Sequence, residues 1–170
     1  ELKLVQAQVN PHFLFNSLNT IMAVTRTDPE RARELLGHLS NFFRKNLKRS
    51  SEVSTVGEEL EHVRAYLEIE KARFEGRVTV ATEVDPAVLA TRMPAFTLQP
   101  LVENAFKHGL AAALGEGRAT IRAYRREGVV LVEIEDSAGA WVEPREGEGL
   151  GMHIVDKRLK NLHGAQWGLS

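Results

Sequence analysis

The period of the hydrophobic positions changes several times along the chain, and each change marks an element. Over residues 1–26 apolar side chains recur at helical spacing. Leu2, Val5, Val9 and Phe13 fall on one stripe, and Leu4, Phe15, Leu18 and Met22 on another. A narrow polar strip runs beside the first stripe, from His12 through Asn16 and Asn19 to Ala23. Pro11 stands inside this pattern, next to the histidine. A proline within a helix leaves a carbonyl, here that of Ala7, without its donor and costs about 3 kcal/mol. The pattern therefore predicts a helix over 1–26, bent about one turn before His12.

Asp28-Pro29 then reads as an N-cap followed by proline at the first helical position. The second helix carries Ala32, Leu35, Leu36, Leu39, Phe42, Phe43 and Leu47 and ends in the cationic run "RKNLKRS". Ser50 to Ser54 is the expected linker. "TVGE", Thr55 to Glu58, has capping-box spacing and opens a third helix reaching about Phe74. After Gly76 the period drops to two, predicting a strand over Val78–Val84. A helix is expected from Leu98 to His108, capped by Thr97, with Pro100 harmless in its first turn. Its buried side is Leu98, Leu101, Val102, Ala105 and Phe106. Strands follow at Ala119–Arg125 and Val129–Glu135 around a turn at Glu127-Gly128. Residues 136–149 read as loop, Gly151–Leu162 as helix, and the region of Trp167 as the start of a strand. There is no internal repeat and no low-complexity tract.

The expected fold is α+β: an N-terminal antiparallel helical hairpin, then an α/β part with a mixed sheet. Two amphipathic helices rarely bury enough surface alone, so the hairpin is expected to pair with a second copy as a four-helix bundle. The chain is 170 residues long, with 43% hydrophobic and 26% charged residues, enough to fill a core. A formal net charge of −1 gives no basic surplus for nucleic acid. The absence of cysteine removes disulfides, thiolate metal sites and a cysteine nucleophile. No stretch has the length of a membrane span, and no signal peptide precedes the first helix. Both ends read as cut, the first in mid-helix and the last where a strand is starting.

Three stretches carry candidate chemistry. His12 is either a bundle histidine with satisfied hydrogen bonds or a ring presented outward and oriented by the amide of Asn16. In "LQPLVENAFKHGL", Asn104 and His108 share a face. An amide oxygen suits a hydrated Mg²⁺, and Lys107 or His108 suits phosphate oxygens. Glu103 is a proton acceptor or a plain surface carboxylate. In "EIEDSAGA", Asp136 ends an apolar strand ahead of small residues, fit to accept from an exocyclic amine or simply to cap a turn. "GEGLGMHIV" is a glycine-rich lead into a helix, without the lysine of a Walker A loop or the spacing of a Rossmann turn. His38, His62, His153 and His163, with Trp141 and Trp167, read as surface or packing residues.

The order of these parts is more specific than any one of them. It resembles the ATP-binding domain of the gyrase/MutL/histidine-kinase superfamily, the Bergerat (GHKL) fold. With "NPHFLFNSLN" upstream and "LQPLVENAFKHG" following, nearly the whole chain is similar to the LytS-type sensor histidine kinases. The resemblance implies dimerising phosphotransfer helices over 1–52 and an ATP-binding domain over 53–170. It makes His12 the autophosphorylation site, Asn104 the Mg²⁺-binding asparagine and Asp136 the adenine-binding aspartate. Gly139 falls in the first glycine box and Gly149 and Gly151 in the second, with Lys107 and His108 near the phosphates. ATP and Mg²⁺ are the implied cofactors, and a homodimer and a response regulator of the LytTR type the implied partners. The chain is then a cytoplasmic piece of a protein held in the bacterial inner membrane by segments outside it.

Departures from the family pattern matter. The first glycine box reads Asp136-Ser137-Ala138-Gly139-Ala140 in place of Asp-Asn-Gly-x-Gly. No acidic residue follows His12, which leaves Glu103 as the candidate base. The family's last strands lie beyond Ser170. Two other functions fit the same motifs: a non-catalytic signalling dimer with a degenerate ATP site, and a GHKL-type ATPase.

Overall fold

A computed structural model describes residues 10–48, 52–110, 116–137 and 150–170. The fold is α+β with a mixed sheet. The chain forms two compact units, residues 1–50 with 64–77 and residues 51–63 with 78–170.

In the first unit, α1 (Pro11–Val24) and α2 (Pro29–Lys48) pack with the second half of α3 (Val56–Arg73). Of the bent helix expected over 1–26, residues 1–9 lie outside the described residues, and the expectation of Pro11 as an interior residue is corrected. Asn10 is extended, with φ −69° and ψ 103°, and its side chain accepts from the Phe13 N–H at 3.3 Å. Asn10 is thus the N-cap of α1 and Pro11 its first residue, where the missing N–H costs nothing. Asp28 caps α2 as expected, accepting from the Arg31 N–H at 3.0 Å. Phe13, Ser17 and Ile21 of α1 face inward, as do Ala32, Leu35, Leu39 and Phe42 of α2. The start of α1 meets the end of α2 through Phe13 and Phe42, whose centroids lie 5.1 Å apart edge to face, and Tyr66 of α3 completes the cluster 4.8 Å from Phe13. Arg31 spans α2 and α3, donating to Glu34 at 2.8 Å and to Glu68 at 2.9 Å.

The second unit holds β1 (Val53–Thr55), the first half of α3, β2 (Val78–Val84), β3 (Arg92–Pro94), α4 (Leu98–Asn104), β4 (Gly117–Arg126), β5 (Val129–Asp136) and α5 (Leu150–His163). The capping box of α3 forms as the spacing required: the Thr55 N–H donates to Glu58 at 2.9 Å and the Glu58 N–H to the Thr55 hydroxyl at 3.2 Å. The expected linker around Ser54 is instead a strand, β1, paired antiparallel with β3. The main sheet has the order β2-β4-β5, with β2 parallel to β4 and β4 antiparallel to β5. The hairpin turn has Glu127 at φ 52° and Gly128 at φ 82°, the paired left-handed residues of a tight two-residue loop. Ala119, Ile121 and Ala123 are buried, and β4 packs against the turn Ala105–Leu110 that carries the buried Phe106. On the outer face Arg122 donates across the sheet to Glu83 at 2.8 Å and to Glu135 at 2.6 Å. No strand forms at Trp167, which lies in a turn closed by its N–H on the Gly164 carbonyl at 3.0 Å. Among the described residues no helix is long and apolar enough to cross a membrane.

Candidate functional site

The candidate residues fall in both units. In the first, the cap at Asn10 places His12 at the second position of α1. Phe13 is its anchor, buried in the aromatic cluster, while the imidazole of His12 is exposed. Asn16, one turn on, brings its amide nitrogen within 3.3 Å of Nδ1 and 3.2 Å of Nε2. An amide nitrogen only donates, so it selects whichever ring nitrogen lacks a proton. Asn19 and Ala23 continue the exposed strip.

In the second unit, Glu103 and Asn104 end α4, and the helix continues as a wider π-helical turn, Ala105–Leu110, that carries Lys107 and His108. Such turns recur at functional sites because they displace side chains from the regular helical register. Asn104 is half-buried and Lys107 exposed; the side chain of His108 lies outside the described residues. The π-helical turn packs on β5, whose last residue is Asp136. Just beyond Asp136 the strand end is closed by Ser137, whose N–H donates to the Arg118 carbonyl at 2.9 Å and whose hydroxyl accepts from the Arg118 N–H at 2.9 Å. Gly139 and Gly149 lie outside the described residues, and Gly151 is the second residue of α5. Among the described residues no group of three or more His, Cys, Asp or Glu side chains could hold a metal ion. Asn104 could supply one amide oxygen, a donor that suits Mg²⁺ in its hydrated form.

Glu59, Phe96 and Gln99 escaped the sequence reading, and His62, read as a surface or packing residue, is buried. Glu59 of α3 is completely buried, and its carboxylate accepts from three successive backbone N–H groups: Phe96 at 3.1 Å, Thr97 at 2.8 Å and Leu98 at 3.1 Å. This carboxylate, and not Thr97, caps α4. Thr97 makes no side-chain cap, and its hydroxyl donates back to Pro94 at 2.6 Å. Phe96 is held at φ 59°, a conformation unusual for a bulky residue, with its N–H on Glu59 and its ring edge-on to that of His62, centroids 5.7 Å apart. His62 is itself buried, with Nε2 2.7 Å from the Gln99 carbonyl oxygen, and the Gln99 amide donates to Glu103 at 2.7 Å. A signal for this existed. Val56, Glu59, Val63, Tyr66 and Glu70 form one helical stripe, so a carboxylate at Glu59 falls on an apolar face.

Residues 1–78 match the family model described as histidine kinase. The chain is 53% identical over 170 residues to the sensor histidine kinase BtsS of Escherichia coli K12, covering 100% of this chain and 30% of that protein. It is 40% identical over 159 residues to the sensor protein LytS of Bacillus cereus, covering 93% of this chain and 27% of the relative. Against LytS of Bacillus subtilis 168 it is 36% identical over 183 residues, 99% of this chain and 31% of the relative. The chain thus spans about 30% of the length of the curated relatives it matches. With the histidine, amide-helix and strand-end motifs all inside the matched region, the chain belongs to the LytS-type sensor histidine kinases.

Proposed function

We propose that this chain is the kinase core of a two-component sensor: it autophosphorylates His12 from ATP and passes the phosphoryl group to an aspartate of a response regulator. Residues 1–52 are the phosphotransfer helices and residues 53–170 the ATP-binding domain. The observation that carries the reading is the exposed imidazole of His12, in a capped first turn with the Asn16 amide against its ring. A ring nitrogen left without a proton is the nucleophile, and Asn16 orients it. It attacks the γ-phosphorus in line; the N–P bond forms as the bond to the β-phosphate oxygen breaks, and ADP leaves. The imidazolium formed loses the proton on its other nitrogen, with Glu103 as the base. Little covalent work falls to the protein, so positioning and charge neutralisation dominate. Mg²⁺, held through Asn104, supplies that neutralisation when bound. Lys107, His108, Gly149 and Gly151 face the phosphates in this reading, while Asp136 and Gly139 hold the adenine.

The exposed apolar residues support pairing with a second copy. Phe15 (66% exposed), Leu18 and Met22 lie along α1, and Leu36 and Leu47 (63% exposed) along α2. Together they make the second stripe of each helix, the pattern a four-helix bundle buries. The response regulator is proposed to be of the LytTR type, and membrane attachment to come from segments outside this chain.

The test is incubation of the intact protein with γ-labelled ATP and Mg²⁺. His12→Gln is expected to remove all label while leaving ATP binding intact, and the wild-type label is expected to be acid-labile and alkali-stable. Label that survives in His12→Gln refutes the assignment. Ala138 at a glycine-box position favours one other reading, a signalling dimer that does not turn over ATP. Failure of the wild type to bind ATP would select it. Release of free phosphate without labelled protein would select a GHKL-type ATPase.

A further inference from the structure

We propose that His62 and Gln99 are positioning residues for phosphoryl transfer: a hydrogen-bonded file from α3 into α4 fixes the orientation of the Glu103 carboxylate beside Asn104. The proposal rests on the kinase reading above, in which Glu103 is the base.

The direction of the file follows from what each group can donate. An ionised carboxylate only accepts, so the Gln99 amide must turn its NH₂ to Glu103, 2.7 Å away. Its carbonyl oxygen then faces His62 Nε2 at 2.7 Å, and that nitrogen must carry the proton. The donors therefore run from His62 through Gln99 to Glu103.

Each link is held from behind. His62 is 1% exposed, packed edge-on against Phe96, and sits one turn after Glu59 on α3. Glu59 fixes the backbone at the start of α4, and His62 fixes the first-turn side chain of the same helix. Gln99 and Glu103 are four residues apart, so the second bond runs along the face of α4 to its last turn. A buried imidazole and a buried carboxylate are costly ways to fill space. What they supply, and apolar residues of equal volume would not, is a directed hydrogen bond to Gln99 and a fixed turn to carry it.

The experiment compares intact proteins carrying Gln99→Leu, Glu103→Gln, both changes, His62→Leu and His62→Gln. It measures the affinity for Mg·ATP and the rate of phosphohistidine formation at saturating ATP. Gln99→Leu is expected to slow the saturating rate about 10- to 100-fold, the scale of a small misplacement of a reacting group. Its affinity for Mg·ATP is expected to stay within about twofold of wild type. The double variant should be no slower than Glu103→Gln alone, because the two residues act as one unit. His62→Gln keeps a donor N–H near the position of Nε2 and should transfer far faster than His62→Leu. Should His62→Leu fail to fold, Gln99→Leu and the double variant still decide the matter. Gln99→Leu at full rate, a loss confined to ATP affinity, or losses that multiply in the double variant would each overturn the proposal alone. A wild type that never forms phosphohistidine would overturn the kinase reading and this proposal together.

Discussion

Replacing Glu59 isolates the one carboxylate on which the start of α4 depends. Its Oε2 accepts from the Thr97 and Leu98 N–H groups and its Oε1 from that of Phe96. Hydrogen bonds to a charged group contribute roughly 1.5–3 kcal/mol each, and a buried donor left without a partner costs about 1–3 kcal/mol. Glu59→Ala strands two buried donors and one half-buried donor and opens a cavity in a site with no solvent access. Local relaxation recovers part of this, which puts the expected loss at about 3–5 kcal/mol, a large share of a domain's stability. Glu59→Gln keeps one acceptor oxygen. Placed at the Oε2 position it still serves Thr97 and Leu98, and only Phe96 faces an N–H, so the expected loss is about 1–2 kcal/mol. The assay is urea unfolding followed through tryptophan fluorescence. Trp167, one of the chain's two tryptophans, belongs to the same unit as Glu59. A loss below about 1 kcal/mol in Glu59→Ala, or equal losses in Ala and Gln, would refute the reasoning that three backbone donors depend on this group.

Two further outcomes follow from the first unit. Pro11→Ala should change stability by less than about 0.5 kcal/mol in thermal unfolding, because proline at the first helical position costs nothing; a gain near 3 kcal/mol would instead mark an interior proline. For Glu68, burial raises the carboxyl pKa most, yet the hydrogen bonds from Lys71 and Arg31 outweigh it and hold the group below the ordinary carboxylate value. A depressed folded pKa means that the unfolded chain binds more protons, so this stabilisation is present above about pH 4.5 and is lost as pH falls through the lower, folded value. Screening of these partly exposed side chains limits it to about 1 kcal/mol. Glu68→Gln should therefore flatten the fall in stability between about pH 5 and 3; parallel pH curves for the two proteins would contradict the assignment.

Elements announced by local chemistry were legible in the sequence. The Asp28 cap, the Thr55–Glu58 box and the Glu127-Gly128 turn each concern residues within three positions of one another, and each forms as expected. The pairing of β1 with β3 was not legible: three residues at Val53–Thr55 meet three at Arg92–Pro94, and neither segment is long enough to show a period. The polar strip left His12 either a satisfied bundle histidine or a ring presented outward, and the structure shows it exposed. The burial of Glu59 did not follow, because polar residues on a helix ordinarily mark its solvated face, and only its place on the stripe of Val56 and Val63 pointed inward; for His62 the sequence left surface and packing both open. Their partners lie 37 to 39 residues away, at Phe96 to Gln99, a pairing that only the fold supplies.

Asn10-Pro11 carries the same cap-then-proline signal as Asp28-Pro29, and that likeness settles how the histidine motif is built. Read as a kinked interior, the proline is a cost to be offset by packing. Read as the first residue of α1, it is already set at the helical φ, and the four residues divide their tasks. Asn10 closes the helix end through the Phe13 N–H, Pro11 starts the turn, His12 projects outward and Phe13 anchors the turn in the aromatic cluster. The imidazole is thereby fixed at the end of a helix where backbone N–H groups point outward and no acidic side chain lies in the first turn. Negative charge at such an end is favoured by roughly 0.3–1 kcal/mol. In the proposed function, a phosphoryl group gained at His12 would fall where the helix end favours negative charge slightly. In that reading the proline serves by setting the first residue of α1, directly ahead of the histidine.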